Sequence, residues 1–247
     1  MVEYSDLEFS AKSTDCGVND NLFVSVLLGD LQETAEKGAE ETGYGTRFVN
    51  ENNCCWIILR TKLHINRLPR WKERFIIRTW FTGLDKLSFN REYEIYDLKG
   101  NVLGYATSVW ILCDIDTHRP VIPGRNPNFP PPVPQSDRLV YGYTSPKIRF
   151  PDISEIEEKP VISKYADFSE LDRNHHVNNS RYLAWVYDCL YKSGIDTNIV
   201  KDISVNYISE VKAGEKIDIY MTENSGIISI YGFKNGKDKV FAVDIET

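Results

Sequence analysis

The chain carries two successive sets of amphipathic segments in the same order. The first set opens with the alternating run EYSDLEFSA, followed by a stretch whose apolar residues recur at helical spacing. This stretch predicts a helix over residues 19–38, with Asn19 or Asp20 as its N-cap and Gly38 near its end. The second set opens with VISKYADFS and predicts a helix that begins near Asn178.

The second predicted helix has one apolar face. That face carries Tyr182, Trp185, Val186 and Cys189, and Gly194 marks the end of the helix. Each helix is followed by four runs rich in β-branched and aromatic residues, which predict strands. The first four runs are CWIILRTKLHI, ERFIIRTWFTG, LSFNREYEIYD and VLGYATSVWILCDI, and the second four are VKDISVNYI, EKIDIYMTE, GIISIYGF and DKVFAVDI. One helix with an antiparallel sheet, present twice, predicts an α+β fold.

Prolines mark the boundary between the two sets. Ten of the eleven prolines lie between Pro120 and Pro160. Because proline lacks a backbone N–H, such a stretch does not form a central strand or the interior of a helix. We therefore predict an N-terminal domain over residues 1–118, a proline-rich linker over 119–160 and a C-terminal domain over 161–247. The alternative is a long surface loop within one domain.

Charge and cysteine content narrow the class of protein. The net charge of -7 argues against a general nucleic-acid-binding protein, which needs a basic surface. No apolar run reaches the roughly 18 residues of a membrane span, and the opening MVEYSDLEFS lacks the features of a secretory signal. The five cysteines show neither disulfide nor zinc spacing: Cys16, Cys54, Cys55, Cys113 and Cys189. We expect a cytoplasmic protein that does not span a membrane.

The two sets of segments align with each other. GVNDNLF from Gly17 resembles HVNNSRY from His176, and KERFII from Lys72 resembles GEKIDI from Gly214. This alignment predicts a duplicated fold with an insertion in the first copy, between its helix and its second strand. Chance similarity between short β-rich strings is the alternative. In this alignment three polar residues of the second copy have different counterparts in the first: Asp15 for Asn174, Gly17 for His176 and Leu68 for Glu210.

The segment DRNHHVNNSRYLAW, which starts at Asp172, is the strongest candidate for function. It holds two of the four histidines and three asparagines directly before a predicted helix. Since the first copy is predicted to fold without this polar set, folding alone does not explain it. Two structural explanations remain open: Asn178 and Asn179 suit helix capping, and His175 and His176 suit an exposed surface.

These residues resemble the acyl-acyl carrier protein (acyl-ACP) thioesterase family. Asn174–Asn179 matches the Asn-x-His-Val-Asn-Asn motif of that family. Further likenesses lie at Tyr182 and Trp185, at Tyr207–Glu210, at Arg67–Trp71 and at Arg78–Trp80. Together they cover nearly the whole chain.

The resemblance implies a double hot-dog fold, in which each of two tandem copies wraps an antiparallel sheet around a helix. It implies hydrolysis of fatty acyl-ACP to free fatty acid, the step that ends fatty acid synthesis, without cofactor or metal. The implied partners are acyl carrier protein and a fatty acyl thioester, with no nucleic acid and no membrane. The protein is expected to be a monomer or a homodimer. An acyl-coenzyme A thioesterase and a non-catalytic acyl-binding protein are the alternatives.

The resemblance also implies the residues that carry the chemistry. Asp172, Asn174, His176 and Glu210 are the expected catalytic set. Either Asp172 or Glu210 is expected to activate water, and Asn174 and His176 to position the substrate and stabilise charge. The first amides of the following helix suit the oxyanion of a tetrahedral intermediate.

Three further expectations concern binding. Asn178, Asn179 and Trp80 are the expected substrate contacts, and the first half is expected to hold the acyl chain. Plant members of the family often carry a cysteine after the glutamate, where this chain has Val211, so we expect no cysteine nucleophile. The carrier protein is acidic, so docking is expected to use a basic patch, for which the candidates are Arg173, Arg181 and Lys164.

Overall fold

The boundary between two compact units lies within the proline-rich segment. A computed structural model describes residues 3–124 and 129–246 of the chain. Contacts divide the chain between Ser145 and Pro146, with Phe23–Val26 grouped with the second unit.

The first unit is a five-stranded antiparallel sheet with two helices. Its described elements are β1 (Ser5–Ser10), α1 (Val24–Glu41), α2 (Thr46–Glu51), β2 (Cys54–Ile65), β3 (Arg74–Asp85), β4 (Ser88–Asp97) and β5 (Val102–Asp114). The strands pair in the order β1-β3-β4-β5-β2. Helix α1 packs on one face of this sheet. Gly38 of α1 lies so close to Arg91 on β4 that a Cβ atom at Gly38 would be 2.3 Å from Nη1 of the arginine. Leu27, Leu28 and Leu31 of α1 are buried.

The second unit has the same plan with one long helix. Its described elements are β6 (Ile162–Tyr165), α3 (Asn179–Lys192), β7 (Asp202–Tyr207), β8 (Lys216–Asn224), β9 (Ile227–Lys234) and β10 (Asp238–Glu246). The strands pair in the order β6-β8-β9-β10-β7. Helix α3 packs on the sheet through Tyr182, whose ring stacks on Phe241 at 4.9 Å. The predicted apolar face of α3 is confirmed, since Trp185, Val186 and Cys189 are also buried.

The two units share one topology. In each, the helix follows the first strand, and the strands, counted in chain order, pair as first, third, fourth, fifth and second. The predicted duplication is therefore confirmed at the level of strand order. An Asn-Gly turn joins β9 to β10, in which Asn235 and Gly236 adopt φ angles of 53° and 72°.

The start of the first helix differs from the prediction. Helix α1 begins at Val24, so Asn19 and Asp20 lie outside it and the predicted N-cap is wrong. Asp20 has a φ of 62° and forms part of a turn that precedes the helix. The helix also continues past Gly38 to Glu41. The periodicity extended into this turn because its apolar residues happen to follow helical spacing.

Backbone N–H groups of the proline-rich segment donate hydrogen bonds to side chains of each unit. The N–H of Val140 donates to Oε2 of Glu92 at 3.0 Å in the first unit. The N–H of Ile148 donates to Oδ1 of Asn206 at 3.1 Å in the second. Pro127 lies outside the described residues. Among those described, no helix anywhere in the chain combines the length and apolarity needed to cross a membrane.

Candidate functional site

A tight loop before α3 holds the histidine segment in place. The N–H of Asp172 donates to the carbonyl of His176 at 2.8 Å, and the N–H of His175 donates to the carbonyl of Asp172 at 3.1 Å. His175 closes the turn with a φ of 64°, in the left-handed region. The N–H of Val177 then donates to the carbonyl of Val211 at 2.8 Å. This bond ties the loop to the segment that follows β7.

That tie brings His176 and Glu210 together. Nε2 of His176 lies 3.2 Å from Oε2 of Glu210. The side chain of His176 is 23% exposed and that of Glu210 is 58% exposed, so the carboxylate is open on one side. The ammonium of Lys234 donates to the carbonyl of Glu210 at 2.6 Å and fixes its backbone. Lys234 lies on β9, and no local pattern in the sequence pointed to it.

Asp172 has a different environment from Glu210. Its Oδ1 accepts the backbone N–H groups of Asn174 at 2.8 Å and of His176 at 3.3 Å. A carboxylate that accepts successive backbone amides stabilises a turn of the Asx type. Asp172 therefore shapes the loop, and the side chain of Asn174 is exposed on it.

The first turn of α3 offers backbone N–H donors beside this loop. The side chain of Asn178 accepts the N–H of Ser180 at 2.9 Å, so the capping explanation for Asn178 is confirmed. A substrate contact by Asn178 stays a prediction. Asn179 is the first residue of the helix, where backbone N–H groups have no acceptor within the helix. The positive end of the helix dipole lies at the same place.

Glu170 carries a partly buried carboxylate that is paired with Lys164, and its backbone carbonyl accepts the N–H of Asn178. Burial raises the pKa of Glu170, but the backbone N–H of Asp167 and the side chains of Lys164 and Trp185 hydrogen-bond its carboxylate and hold the pKa below its usual value. The indole N–H of Trp185 donates to Oε1 of Glu170 at 2.7 Å. Lys164 is paired with Glu170 and lies over the Trp185 ring. Its charge is therefore engaged inside the unit, whereas Arg173 and Arg181 are exposed.

Tyr182 lies within electrostatic reach of the site. Burial raises the pKa of its phenol, and the nearby carboxylates of Glu210 and Asp172 raise it further. The hydroxyl therefore remains protonated at neutral pH. Tyr182 was expected from the sequence as part of the helix core, and its proximity to both carboxylates follows from the fold.

Trp80 lies in the first unit, apart from the histidine loop in the chain. It is buried on β3, and its indole N–H donates to the carbonyl of Arg138 at 2.8 Å. The guanidinium of Arg138 lies 4.5 Å from the ring. Trp80 also borders an open polar cavity that includes Arg78 and Glu94. The predicted contact between Trp80 and substrate stays a prediction.

Cys54, Cys113 and Cys189 are buried, and Cys16 and Cys55 are half-buried. All five are free. Burial raises the pKa of Cys189 to about 12, with a smaller contribution from Asp188. Burial also raises the pKa of Cys16, Cys54 and Cys113. Because the thiolate is the nucleophile, these environments disfavour nucleophilic cysteine chemistry. Within the described residues, no group of three or more His, Cys, Asp or Glu side chains is placed to hold a metal ion.

The first unit contains a loop with the same backbone hydrogen bonds as the histidine loop, but without its histidine and glutamate. The N–H of Gly17 donates to the carbonyl of Asn21 at 2.9 Å, and the N–H of Asp20 donates to the carbonyl of Gly17 at 3.0 Å. The N–H of Leu22 donates to the carbonyl of Pro69 at 2.8 Å. These bonds match those of the histidine loop one for one, including the positive φ at Asp20.

This match corrects the alignment of the two copies. The sequence-based pairing of Gly17 with His176 and of Asp15 with Asn174 is wrong by four positions, while the pairing of Leu68 with Glu210 is confirmed. The structure pairs the following residues: Gly17 with Asp172, Asn19 with Asn174, Asn21 with His176 and Leu68 with Glu210. The first copy therefore retains the asparagine and lacks the aspartate, the histidine and the glutamate.

Comparison with protein families agrees with this division into two units. The family model of the acyl-ACP thioesterase N-terminal domain matches residues 3–122, and that of the C-terminal domain matches residues 152–242. The chain belongs to the acyl-ACP thioesterase family. The second match contains the histidine loop and Glu210, which confirms the resemblance on which the site was predicted.

Among similar proteins are plant members of the family. The oleoyl-acyl carrier protein thioesterase 2, chloroplastic, of Arabidopsis thaliana is 25% identical over 236 residues, which is 88% of this chain and 62% of that protein. The palmitoyl-acyl carrier protein thioesterase, chloroplastic, of Cuphea hookeriana is 27% identical over 218 residues, which is 82% of this chain and 50% of that protein. The chain thus spans between half and two thirds of the length of these relatives.

Solved structures share the fold over nearly the whole chain. An acyl-ACP thioesterase from Bacteroides thetaiotaomicron has a TM-score of 0.82 and 24% identity, covering 99% of this chain and 97% of that one. The 12:0-ACP thioesterase from Umbellularia californica has a TM-score of 0.77 and 18% identity, covering 100% and 97%. The predicted α+β fold with two tandem hot-dog copies is confirmed.

Proposed function

We propose that this protein hydrolyses the thioester of fatty acyl-acyl carrier protein, releasing free fatty acid and carrier protein. The observation that carries the proposal is the pair of His176 and Glu210, 3.2 Å apart beside the start of α3, in a chain of this family. Relatives named as oleoyl- and palmitoyl-acyl carrier protein thioesterases support the choice of substrate.

Glu210 is the general base in this proposal. Its exposed carboxylate accepts a proton from water as the water oxygen attacks the thioester carbonyl carbon. The C–S bond then breaks, and the sulfur leaves as a thiolate that takes up a proton. Nε2 of His176 lies 3.2 Å from the carboxylate and keeps it aimed at the reacting water. Asp172 keeps the loop in shape and does not take the proton.

The oxyanion of the tetrahedral intermediate is stabilised at the start of α3. The N–H of Asn179 lies at the positive end of the helix, where donors are preorganised and a developing negative charge is favoured. The exposed amide of Asn174 is a second donor on the same loop. The proposal needs neither a metal nor a nucleophilic side chain.

The first unit holds the acyl chain in this proposal. Its apolar contacts come from a buried cluster formed by the sheet and the proline-rich segment: Cys54, Phe81, Phe89, Leu112 and Phe129. The acidic carrier protein docks near Arg173 and Arg181, whose side chains are exposed. The plant relatives are named chloroplastic, and the location of this protein as cytoplasmic stays a prediction.

One set of assays tests the proposal. The purified protein is given acyl-ACP and acyl-coenzyme A of equal chain length, and kcat/KM is measured for each. His176→Ala and Glu210→Gln are expected to lower kcat by about 10²–10⁴-fold on the preferred carrier, with unchanged melting. His175→Ala is the matched control, because His175 contributes a backbone turn and no contact with Glu210; it should lose far less.

Two outcomes would contradict the proposal. A higher kcat/KM on acyl-coenzyme A would make the protein a coenzyme A thioesterase. Absence of hydrolysis on both carriers, with acyl chains still bound, would make it an acyl-binding protein.

A further inference from the structure

The proposed base lies on a segment that connects two strands. Glu210 follows the end of β7 at Tyr207 and precedes the start of β8 at Lys216. Its side chain is 58% exposed, so packing around the side chain contributes little to its position. We call residues 208–215 the base segment. The position of the carboxylate depends on how the backbone of this segment is held.

A second carboxylate closes a turn in the base segment. Oε2 of Glu215 accepts the N–H of Lys212 at 2.7 Å, and the N–H of Glu215 donates to the carbonyl of Lys212 at 3.2 Å. Gly214 lies within this turn and has a φ of 78°, a conformation that glycine adopts at no steric cost. Both the backbone and the side chain of Glu215 therefore hold the turn that follows the proposed base.

Lys234 on β9 connects this turn to the base. Its Nζ donates to the carbonyl of Glu210 at 2.6 Å and to Oε2 of Glu215 at 3.3 Å. The side chain of Lys234 is 19% exposed and that of Glu215 is 28% exposed, so water screens this pair less than it screens a surface pair. One ammonium thus binds the backbone of the base and the carboxylate of the turn to the sheet.

The first unit contains the same arrangement without a base. Oε2 of Glu73 accepts the N–H of Arg70 at 2.9 Å, which is the same turn as in the second unit. Nη2 of Arg67 donates to Oε1 of Glu73 at 2.7 Å, and its Nη1 donates to the carbonyl of Leu68 at 3.4 Å. Leu68 is the counterpart of Glu210. In both units a cation therefore pairs with the carboxylate of the turn and donates to the carbonyl at the base position.

The cation comes from a different element in each unit. In the first unit it is Arg67, which directly precedes Leu68 in the chain. In the second unit Ser209 has that place, and the cation is Lys234 on β9. Lys234 and Asp97 occupy equivalent positions in the register of the two sheets. The contacts of the cation recur although its place in the chain differs, which indicates that these contacts hold the segment.

The rate of the proposed reaction depends on where the base is held. A general base must lie within hydrogen-bond reach of the proton that it removes, and a misplacement of about 1 Å costs on the order of 10²-fold in rate. Without Lys234, the carbonyl of Glu210 loses a donor and the carboxylate of Glu215 loses its cation. The base segment would then shift relative to the imidazole of His176.

We propose that Lys234 and Glu215 are positioning residues for the hydrolysis, which hold the backbone of Glu210 so that its carboxylate stays beside the imidazole of His176. This inference rests on the proposed function, because it takes Glu210 as the general base. Lys234 and Glu215 act through the base and do not touch the thioester. Their substitution therefore changes the chemical step and leaves the binding of acyl-ACP intact.

Steady-state kinetics with acyl-ACP separates the chemical step from binding. Lys234→Met removes the ammonium and should lower kcat by roughly 10- to 100-fold, with KM within about two-fold of the parent. Lys234→Arg should recover most of this loss, because Arg67 forms the same contacts in the first unit. Glu215→Gln keeps an acceptor for the N–H of Lys212 and should lose less than Glu215→Ala. Unchanged kcat in Lys234→Met would overturn the inference and leave the thioesterase assignment in place.

Arg67→Met is the matched control in the first unit. It removes the equivalent cation from a turn that has Leu68 at the base position, so kcat should stay within about two-fold of the parent. Melting temperatures of Arg67→Met and Lys234→Met are measured on the same samples as kcat. Equal losses of kcat in the two variants would show that the cation acts only through the stability of the fold, which overturns the positioning role.

A double variant tests whether Lys234 acts through Glu210. Because Glu210→Gln already lacks the base, adding Lys234→Met to it should lower kcat by no more than about two-fold further. If Lys234→Met lowered kcat by the same factor in the parent and in Glu210→Gln, the two residues would act independently, and the inference would be wrong.

A crystal structure of Lys234→Met distinguishes this inference from the proposed function. The distance between Nε2 of His176 and Oε2 of Glu210 is 3.2 Å in the parent and should lengthen beyond about 3.5 Å, which is outside hydrogen-bond range. An unchanged distance overturns the positioning role whether or not the protein hydrolyses thioesters. A lengthened distance in a protein that hydrolyses no thioester supports the hold of Lys234 on this pair and removes the proposed function alone.

Discussion

Two carboxylates flank the histidine loop and have different surroundings. Oδ1 of Asp172 is held by the backbone amides of Asn174 and His176, which directs it into the loop. Oε2 of Glu210 faces the imidazole of His176 from an exposed position. The carboxylate of Asp172 therefore accepts backbone hydrogen bonds, whereas the carboxylate of Glu210 is accessible to water.

This difference predicts opposite responses to amide substitution. Asp172→Asn keeps an acceptor oxygen for the loop and should retain most of the turnover. Glu210→Gln removes the base and should lower kcat by about 10²–10⁴-fold. Asp172→Ala should lower the free energy of unfolding by about 1 kcal/mol, because two backbone amides lose their acceptor. Measurements of kcat and of urea unfolding check these values, and loss of turnover in Asp172→Asn with retention in Glu210→Gln would move the base to Asp172.

The cysteines give a second prediction. Because burial raises the pKa of Cys189 to about 12, its thiol is protonated at the pH of an assay. A variant with Cys16→Ala, Cys113→Ala and Cys189→Ala should keep thioesterase turnover, at some expense in stability. Thiol alkylation of the parent should not abolish turnover rapidly. An acyl group found on any cysteine by mass spectrometry would contradict this expectation.

Strand β4 carries buried ionisable groups on both of its faces. Arg91 points toward α1, and Glu92, next in sequence, points to the opposite face. Burial raises the pKa of Glu92 to about 7, although hydrogen bonds from Thr107 and from the N–H of Val140 act in the other direction. Glu92 is 0% exposed and holds the proline-rich segment against the sheet through Val140. Strand β4 thus contacts α1 through Arg91 on one face and the proline-rich segment through Glu92 on the other.

The raised pKa of Glu92 predicts a pH dependence of stability. An acid whose pKa is higher in the folded than in the unfolded state favours folding when protonated, so stability should fall as pH rises from about 4.5 to about 7. The contribution of Glu92 is at most about 3 kcal/mol. Melting between pH 5 and pH 8 should therefore change less in Glu92→Gln than in the parent. Asp30, whose pKa burial and the nearby Asp15 and Glu33 raise to about 7, contributes in the same direction and remains in that variant. An unchanged slope in Glu92→Gln would contradict this account.

The whole molecule consists of two copies of one plan that have diverged at the loop before the helix. Strand order, turn hydrogen bonds and the positive φ are common to both copies. Only the second copy has a histidine and a glutamate at the loop. The retained asparagine, Asn19, allows an internal comparison with Asn174.

This comparison predicts unequal effects of two equivalent substitutions. Asn174→Ala should lower kcat by about 10²–10³-fold, the effect of removing one oxyanion donor. Asn19→Ala, at the matching place in the first unit, should leave kcat within about two-fold, because Leu68 stands there in place of the proposed base Glu210. Both kcat values are measured with acyl-ACP, with melting curves as a check on folding. Equal losses in the two variants would show that both loops take part in catalysis.

The identity and order of the elements, the duplication and the family are legible in the sequence, because they depend on local periodicity and on short motifs. The apolar face of α3, the eight strands that follow the helices and the Asn-x-His-Val-Asn-Asn segment are all of this kind. The one-turn error at α1 arose because a loop with apolar residues at helical spacing has the same local pattern as a helix.

The contacts within the site come from the fold. Glu210 meets His176 because the Val177 N–H bonds to the carbonyl of Val211, a pairing between segments far apart in the chain. The same hydrogen bonds correct the alignment of the two copies, since loops conserve backbone geometry while their side chains diverge. Gly38 of α1 meets Arg91 of β4 for a similar reason. The type of a residue determines which hydrogen bonds its side chain can form. The packing of distant segments determines which partner lies within hydrogen-bonding distance.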